Sequence, residues 1–317
     1  MGVKDFLAEQ NSMIKDVKDT GFDYYNTNLV PLASDRGLTY ESGDKKKGKI
    51  LESCVLFTDI RNSVELNRKH RTDTMGKIYT AFTKGVLNAA AYYGGMVRNI
   101  IGDRVMVVFP VKDCFKNAVY CATAINTISR AINNIFADVD FKCGIGVDFG
   151  EMHIIKVGIE KHTDEKDENR NLVWIGKPAN LASRLCDMAG KSFNEKLYKV
   201  KGSFFHYNYW GRSSGIDQRA TGWYVETRKL SAEEMMKDMT YKGGRTFQSG
   251  IIEQTLFEPL SEDYSYKSML ITDRVYKGYK QACANDQDVR EGWWTETDKS
   301  IIDLDCRVWQ ADFPWAE

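Results

Sequence analysis

Between residues 50 and 190 the hydrophobic repeat alternates between the two-residue period of a strand and the 3.6-residue period of a helix, and this is what most restricts the fold. Residues 53–58 form a short apolar run that ends in polar residues, as a buried strand does. Residues 63–93 follow with helical spacing of Leu66, Met75, Ile78, Tyr79, Phe82 and Val86, stopped by Gly94-Gly95. Residues 96–101 and 105–109 read as two strands around a Gly102-Asp103 turn. A second long helix is expected over 114–136, then strands over 141–149 and 152–157 joined at Gly150-Glu151. The charged stretch 160–171 reads as an exposed hairpin tip, 172–175 as a strand, and 178–188 as a helix with Pro178 in its first turn. The order β-α-β-β-α-β predicts an α+β chain with a ferredoxin-like, or palm, core.

The flanking regions differ in character. Residues 1–49 are polar and read as an N-terminal segment and linker, with a short amphipathic helix over 6–17 and an exposed lysine-rich run at 43–49. Residues 191–266 are rich in aromatics and glycine without a long period, and read as an irregular or β-rich insertion. Strand–helix patterning returns with a strand over 268–272, a helix over 273–282 and a last strand over 301–310. The core domain is therefore expected to comprise 50–190 and 267–317, interrupted by 191–266.

Composition removes several classes of function. Lys+Arg and Asp+Glu are equal at 44 each, which argues against a nucleic-acid coat or an electrostatic membrane binder. No apolar run approaches the roughly 20 residues of a membrane span. The N-terminal MGVKDF does not read as a signal peptide. The seven cysteines form no CxxC pair and lie mostly in apolar runs, so they are expected to be buried free thiols in a reducing, cytoplasmic setting. The four histidines have no metal-ligand spacing.

Three motifs carry candidate chemistry. In Phe57-Thr58-Asp59-Ile60-Arg61 an aspartate stands at the end of a buried strand, and in Ile101-Gly102-Asp103-Arg104 another stands at a hairpin turn. In a palm core these strands are neighbours, so the two carboxylates can meet and bridge divalent ions, as in-line phosphoryl chemistry requires. Taken singly, a Gly-Asp hairpin is ordinarily just a turn. The third motif, Trp174 to Leu185 (WIGKPANLASRL), reads as strand, glycine turn and helix, with Asn180 and Arg184 four apart on one helix face. Such a pair could hold a ribose and a phosphate, or could be two exposed polar residues.

FTDIRNS, GDRVMVVF, FKCGIGVDFGEM and IGKPANLASRL, in this order and spacing, resemble the successive blocks of class III nucleotidyl cyclases. Residues 269–276 and 306–309 resemble the strand–helix and the closing strand that complete the domain in that family. The resemblance implies two divalent ions per site, Mg²⁺ or Mn²⁺, held by Asp59, Asp103 and the Ile60 carbonyl. It implies that Asn180 orients the ribose and that Arg184 stabilises charge on the α-phosphoryl group. It also implies a head-to-tail homodimer with two composite sites, because in the family the carboxylates and the Asn/Arg helix come from different subunits. Lys299 lies near the position of a phosphate-binding lysine.

Two base-reading positions depart from the adenylate and guanylate patterns: Asn99 and Val173 occupy them, and a one-residue slip would instead turn Arg98 or Trp174 inward. Phe57, Asn99, Val173, Trp174 and Lys299 are thus the candidates for substrate contact. These departures and the insertion are similar to the pyrimidine cyclases of bacterial Pycsar anti-phage systems, which make cyclic UMP or cyclic CMP for a separate effector. The resemblance implies a nucleoside triphosphate substrate, UTP ahead of CTP, with an adenylate cyclase or an inactive binding module as the alternatives.

Overall fold

A computed structural model of the chain describes residues 2–40, 45–158, 170–206, 222–234, 241–242, 246–247, 254–297 and 306–315. Most of the 160–171 tip, Lys299 and the start of the strand expected over 301–310 lie outside these residues.

Helix α1 (Val3–Asp19) and strand β1 (Gly21–Asn26) lead into a long strand β2 (Lys45–Ile60). Then come α2 (Ser63–Lys69), α3 (Thr72–Tyr92), β3 (Met96–Ile101), β4 (Arg104–Val108), α4 (Cys114–Ile135), β5 (Cys143–Gly158), β6 (Arg170–Ile175) and α5 (Lys177–Met188). Strands β7 (Ser192–His206), β8 (Gly222–Ser231), β9 (Tyr241–Lys242), β10 (Thr246–Phe247) and β11 (Gln254–Ser265) follow. The described chain closes with β12 (Met269–Thr272), α6 (Asp273–Ala282), α7 (Gln287–Arg290), β13 (Thr295–Glu296) and β14 (Val308–Ala311).

The central sheet runs β13-β14-β12-β5-β2-β4-β3, with β1 paired to β2 and β6 to β5. Its segment β5-β2-β4-β3 is antiparallel at each step and has the order of a ferredoxin-like core. Both faces are apolar. One face packs against α3, α4 and α6 through Leu56, Ile60, Val107, Ile145, Phe82, Ile125 and Tyr279. The α3 contribution follows the helical period of Met75, Ile78, Phe82, Val86, Ala89 and Ala90. The other face collects Val55, Met106, Val108, Met152 and Ile154 beneath Ala179 and Ala182 of α5, with Val30 and Leu38 of the N-terminal segment.

The chain divides into two compact units, residues 1–191 with 266–317, and residues 192–265. In the second unit, the described residues form an antiparallel sheet of order β11-β7-β8 and a short β9–β10 hairpin.

Several expectations need correction. From Lys45 the lysine-rich run is strand and not linker: Lys45 and Lys47 are exposed as expected, but β2 begins at Lys45 and Lys46 is 1 % exposed. Its cause is β1, which pairs in parallel with Lys45–Ile50 and sets the Phe22 ring 5.6 Å from the Lys46 ammonium. Gly150-Glu151 is not a turn; β5 runs through it unbroken and pairs with β2 from Cys143 to Ile154. The helix expected over 63–93 is two helices, α2 and α3, divided at His70-Arg71. The expectation of buried thiols holds for Cys54, Cys114, Cys121, Cys143, Cys186 and Cys283, while Cys306 is half-buried.

Candidate active site

The sheet assembles the site from β2, the β3–β4 hairpin and α5. Asp59 pairs in register with Gly144 near the end of β2, and Thr58, one residue before it, pairs with Val105 of β4. The β3–β4 turn uses Gly102 at φ +63°, a conformation that suits glycine, and this delivers Asp103 beside Asp59. The Asp103 carboxyl is raised above its ordinary value, first by burial and then by the Asp59 carboxylate, while the Ser63 hydroxyl opposes the shift. Its Oδ2 atom is buried and has no hydrogen-bond partner.

Two facing carboxylates, one with an orphaned buried oxygen, are a fit for a cation. The donors are hard oxygens, which suits Mg²⁺ or Mn²⁺. Among the described residues no group of three or more His, Cys, Asp or Glu side chains could hold a metal. The remaining coordination positions would therefore fall to phosphates, water and backbone carbonyls such as that of Ile60. The Ile60 side chain itself is buried in the core, 3 % exposed.

Helix α5 lies against this pair because two glycines let it. A Cβ on Gly146 would meet the Ala182 carbonyl and the Cys186 amide, and one on Gly144 would meet the Ala189 carbonyl and the Arg61 guanidinium. Arg61 is 4 % exposed and donates through Nη2 to the Cys186 carbonyl at 2.8 Å and through Nη1 to the Asp187 carbonyl at 3.4 Å. It thus caps the C-terminal end of α5, where orphan carbonyls favour a cation. Arg104 makes the second tie: Nη2 donates to Asp59 Oδ2 at 2.9 Å and to an Asp187 carboxylate oxygen, and Nη1 donates to Ser183 Oγ at 3.1 Å. Sequence reading passed over Arg61, Arg104, Ser183 and Asp187. Their only local signal was adjacency, since Arg61 and Arg104 each follow a site aspartate within two residues.

The substrate-contact candidates separate into two groups. Phe57 pairs with Met106, and Met106 with Asn99; directly opposed residues share a face, so all three lie on the face that carries Asp59. Arg98 sits at the β3 bulge and donates to the Pro31 carbonyl at 3.1 Å, leaving its buried Nε without a partner. On β6, Trp174 pairs with Ile154 and packs on the same apolar face, whereas Val173 points to the opposite face and is 39 % exposed. It is therefore Trp174, not Val173, that shares the face of Phe57. Trp174 is nevertheless remote from Asp59 within one chain. Its β5 partner Ile154 is ten residues from Gly144, the partner of Asp59 (154 − 144). That is roughly 30 Å of strand.

Asn180 and Arg184 are exposed on α5, on a strip next to Ser183 and Asp187.

No family model matches the chain. A uridylate cyclase of Burkholderia cepacia is 30 % identical over 145 residues, which are 44 % of this chain and 60 % of that protein. A uridylate cyclase of Gulbenkiania mobilis is 24 % identical over 159 residues, 46 % of this chain and 60 % of that protein. The chain thus spans about 60 % of the length of these curated relatives. Among solved structures, the adenylyl cyclase CyaB of P. aeruginosa aligns with a TM-score of 0.47 and 15 % identity, covering 83 % of this chain and 95 % of that one. Among curated proteins the chain is thus similar to uridylate cyclases, over 44–46 % of its length in these two.

Proposed function

We propose that this chain is a class III nucleotide cyclase that converts a pyrimidine nucleoside triphosphate, UTP ahead of CTP, into its 3′,5′-cyclic nucleotide and pyrophosphate. The observation that carries this reading is the Asp59–Asp103 pair with its buried, unpartnered Asp103 Oδ2, set beside α5. Similarity to uridylate cyclases supports the choice of a pyrimidine.

In the reaction the 3′-oxygen forms a bond to the α-phosphorus, the bond from the α-phosphorus to the bridging oxygen breaks, and pyrophosphate leaves while the hydroxyl proton passes to solvent. Asp59, Asp103 and the Ile60 carbonyl would hold two divalent ions, Mg²⁺ or Mn²⁺, whose positive charge lowers the pKa of the 3′-hydroxyl and neutralises the triphosphate. Asn180 would fix the ribose, and Arg184 would place its guanidinium where charge grows on the α-phosphoryl oxygens, so its effect is on kcat more than on KM. Phe57, Asn99 and Trp174 would meet the base.

The site is read as composite. Asp59 and Trp174 of one chain lie further apart than a nucleoside triphosphate reaches, and Asn180 and Arg184 are exposed, which supports a head-to-tail homodimer whose partner supplies the strip. The cyclic product would act as a second messenger on a separate effector in anti-phage defence, as in the systems this chain resembles.

Incubation with each of the four labelled triphosphates and Mn²⁺ tests the reading. UTP or CTP should be cyclised, and the Asp59→Ala/Asp103→Ala variant should lose the activity by at least about a thousandfold. Turnover of ATP far above both pyrimidines would sink the substrate assignment; no turnover of any triphosphate would sink the enzymatic one.

A further inference from the structure

We infer that Arg104 is a positioning residue that couples cation occupancy of the Asp59/Asp103 pair to helix α5. The inference rests on the two-metal reading above. Three acceptors converge on one guanidinium: Asp59 from the site, and Ser183 and Asp187 from α5. Asp59 is 16 % exposed at its side chain, Arg104 29 % and Asp187 47 %, so the ion pair with Asp59 is the better shielded of the two.

A cation held by Asp59 and Asp103 and a guanidinium held by Asp59 draw on the same carboxylate charge. Arg104 has a second anion within reach. Its charge can move from Asp59 toward Asp187 while Nη1 stays on Ser183, because the planar fork presents several donors at once. Cation binding therefore tightens the hold of Arg104 on α5. Ser183 and Asp187 flank the strip that carries Asn180 and Arg184, so filling one carboxylate site firms the helix strip offered to the partner's site. Arg61 docks the C-terminal end of α5 through main-chain carbonyls, and its contact with the Asp59 carboxylate, at 4.0 Å, is longer than that of Arg104, at 2.9 Å. Arg104 thus sets the helix's coupling to the cation site and not its attachment to the sheet.

The test is Mn²⁺ binding to the full chain without nucleotide, read by electron paramagnetic resonance of free Mn²⁺, in a double-mutant cycle. Arg104→Gln should bind Mn²⁺ about tenfold more tightly, since a competing charge is gone. Asp187→Asn should bind about threefold more weakly, because the guanidinium is left wholly to Asp59. In the Arg104→Gln background, Asp187→Asn should have no further effect. Equal weakening by Asp187→Asn in both backgrounds would mean that Asp187 acts through space, and would overturn the coupling. Weaker binding by Arg104→Gln would also overturn it, as a support that merely shapes the site would behave so. If Arg104→Gln does not fold, Arg104→Met provides the cycle: it keeps most of the side chain's length and apolar stem but removes the charge, so Asp187→Asn again loses its effect. A wild-type chain that turns over UTP yet gives an additive cycle removes this inference alone. One that binds no Mn²⁺ and turns over no triphosphate removes the function with it.

Discussion

Asp103, half-buried, and Asp148, buried, are both carboxylates with raised pKa values, and their partners give them opposite meanings. Asp103 keeps an oxygen without a hydrogen-bond donor, so it calls for a cation. Asp148 is 2 % exposed but satisfied, accepting the Thr272 hydroxyl at 2.6 Å on Oδ1, and so joins β5 to β12. Burial is the main cause of its raised pKa. The folded chain then holds the Asp148 proton to higher pH than the unfolded chain does. Stability is therefore lost as pH rises from about 4, the unfolded carboxylate value, through the folded one. Asp148→Asn keeps an acceptor for Thr272 and removes the buried charge. Urea unfolding should place this variant on the order of 1 kcal/mol above wild type at pH 8, with the two converging near pH 4. A variant less stable than wild type at pH 8 would show that the charge itself is needed there. Both aspartates of the site were legible as residues, one at a strand end and one at a hairpin. The Arg104–Asp187 pair was not, because its members are 83 residues apart and nothing local joins them.

At the scale of elements, α5 depends on the absence of a side chain. The GIGV run of β5 reads locally as an ordinary apolar strand, yet Gly146 is where the α5 backbone touches the sheet. Gly146→Ala puts a methyl group against the Ala182 carbonyl and the Cys186 amide, which are rigid backbone. It should cost about 2–3 kcal/mol in urea unfolding. It should also lower kcat more than KM, since Asn180 and Arg184 ride on the displaced helix. An unchanged midpoint in urea would contradict this close packing. The elements most clearly read from the sequence were those with an amphipathic period, α3 and α4, whose apolar stripes face the core. Those misread were set by pairing. The start of β2 is polar, and only β1 alongside makes it strand; Gly150 suggests a turn, and only continuous pairing with β2 carries the strand through it.

For the whole molecule, the decisive question is whether one chain completes a site. Asp59 and Asp103 lie together, while Trp174 on β6 pairs with β5 far from Asp59, and Asn180 and Arg184 are exposed. A composite dimer makes a definite forecast for mixtures. Asp59→Asn chains and Arg184→Ala chains should each be inactive alone. Mixed after subunit exchange they should recover about a quarter of the wild-type activity, since half the dimers are mixed and each of these has one intact site. No recovery, with heterodimers present by native mass spectrometry, would indicate a site contained in one chain.

The sequence by itself determined the α+β alternation, the order of the core and the identity of the two carboxylates. These are local properties: hydrophobic period, turn residues and the order of blocks along the chain. Only the tertiary structure decided that Trp174 and not Val173 shares the face of Phe57, that Gly146 admits α5, and that Arg104 stands between Asp59 and Asp187. Those depend on register and on close approach between segments distant in sequence. A one-residue change in register reverses every side chain of a strand, and no local pattern encodes which arginine will reach which carboxylate.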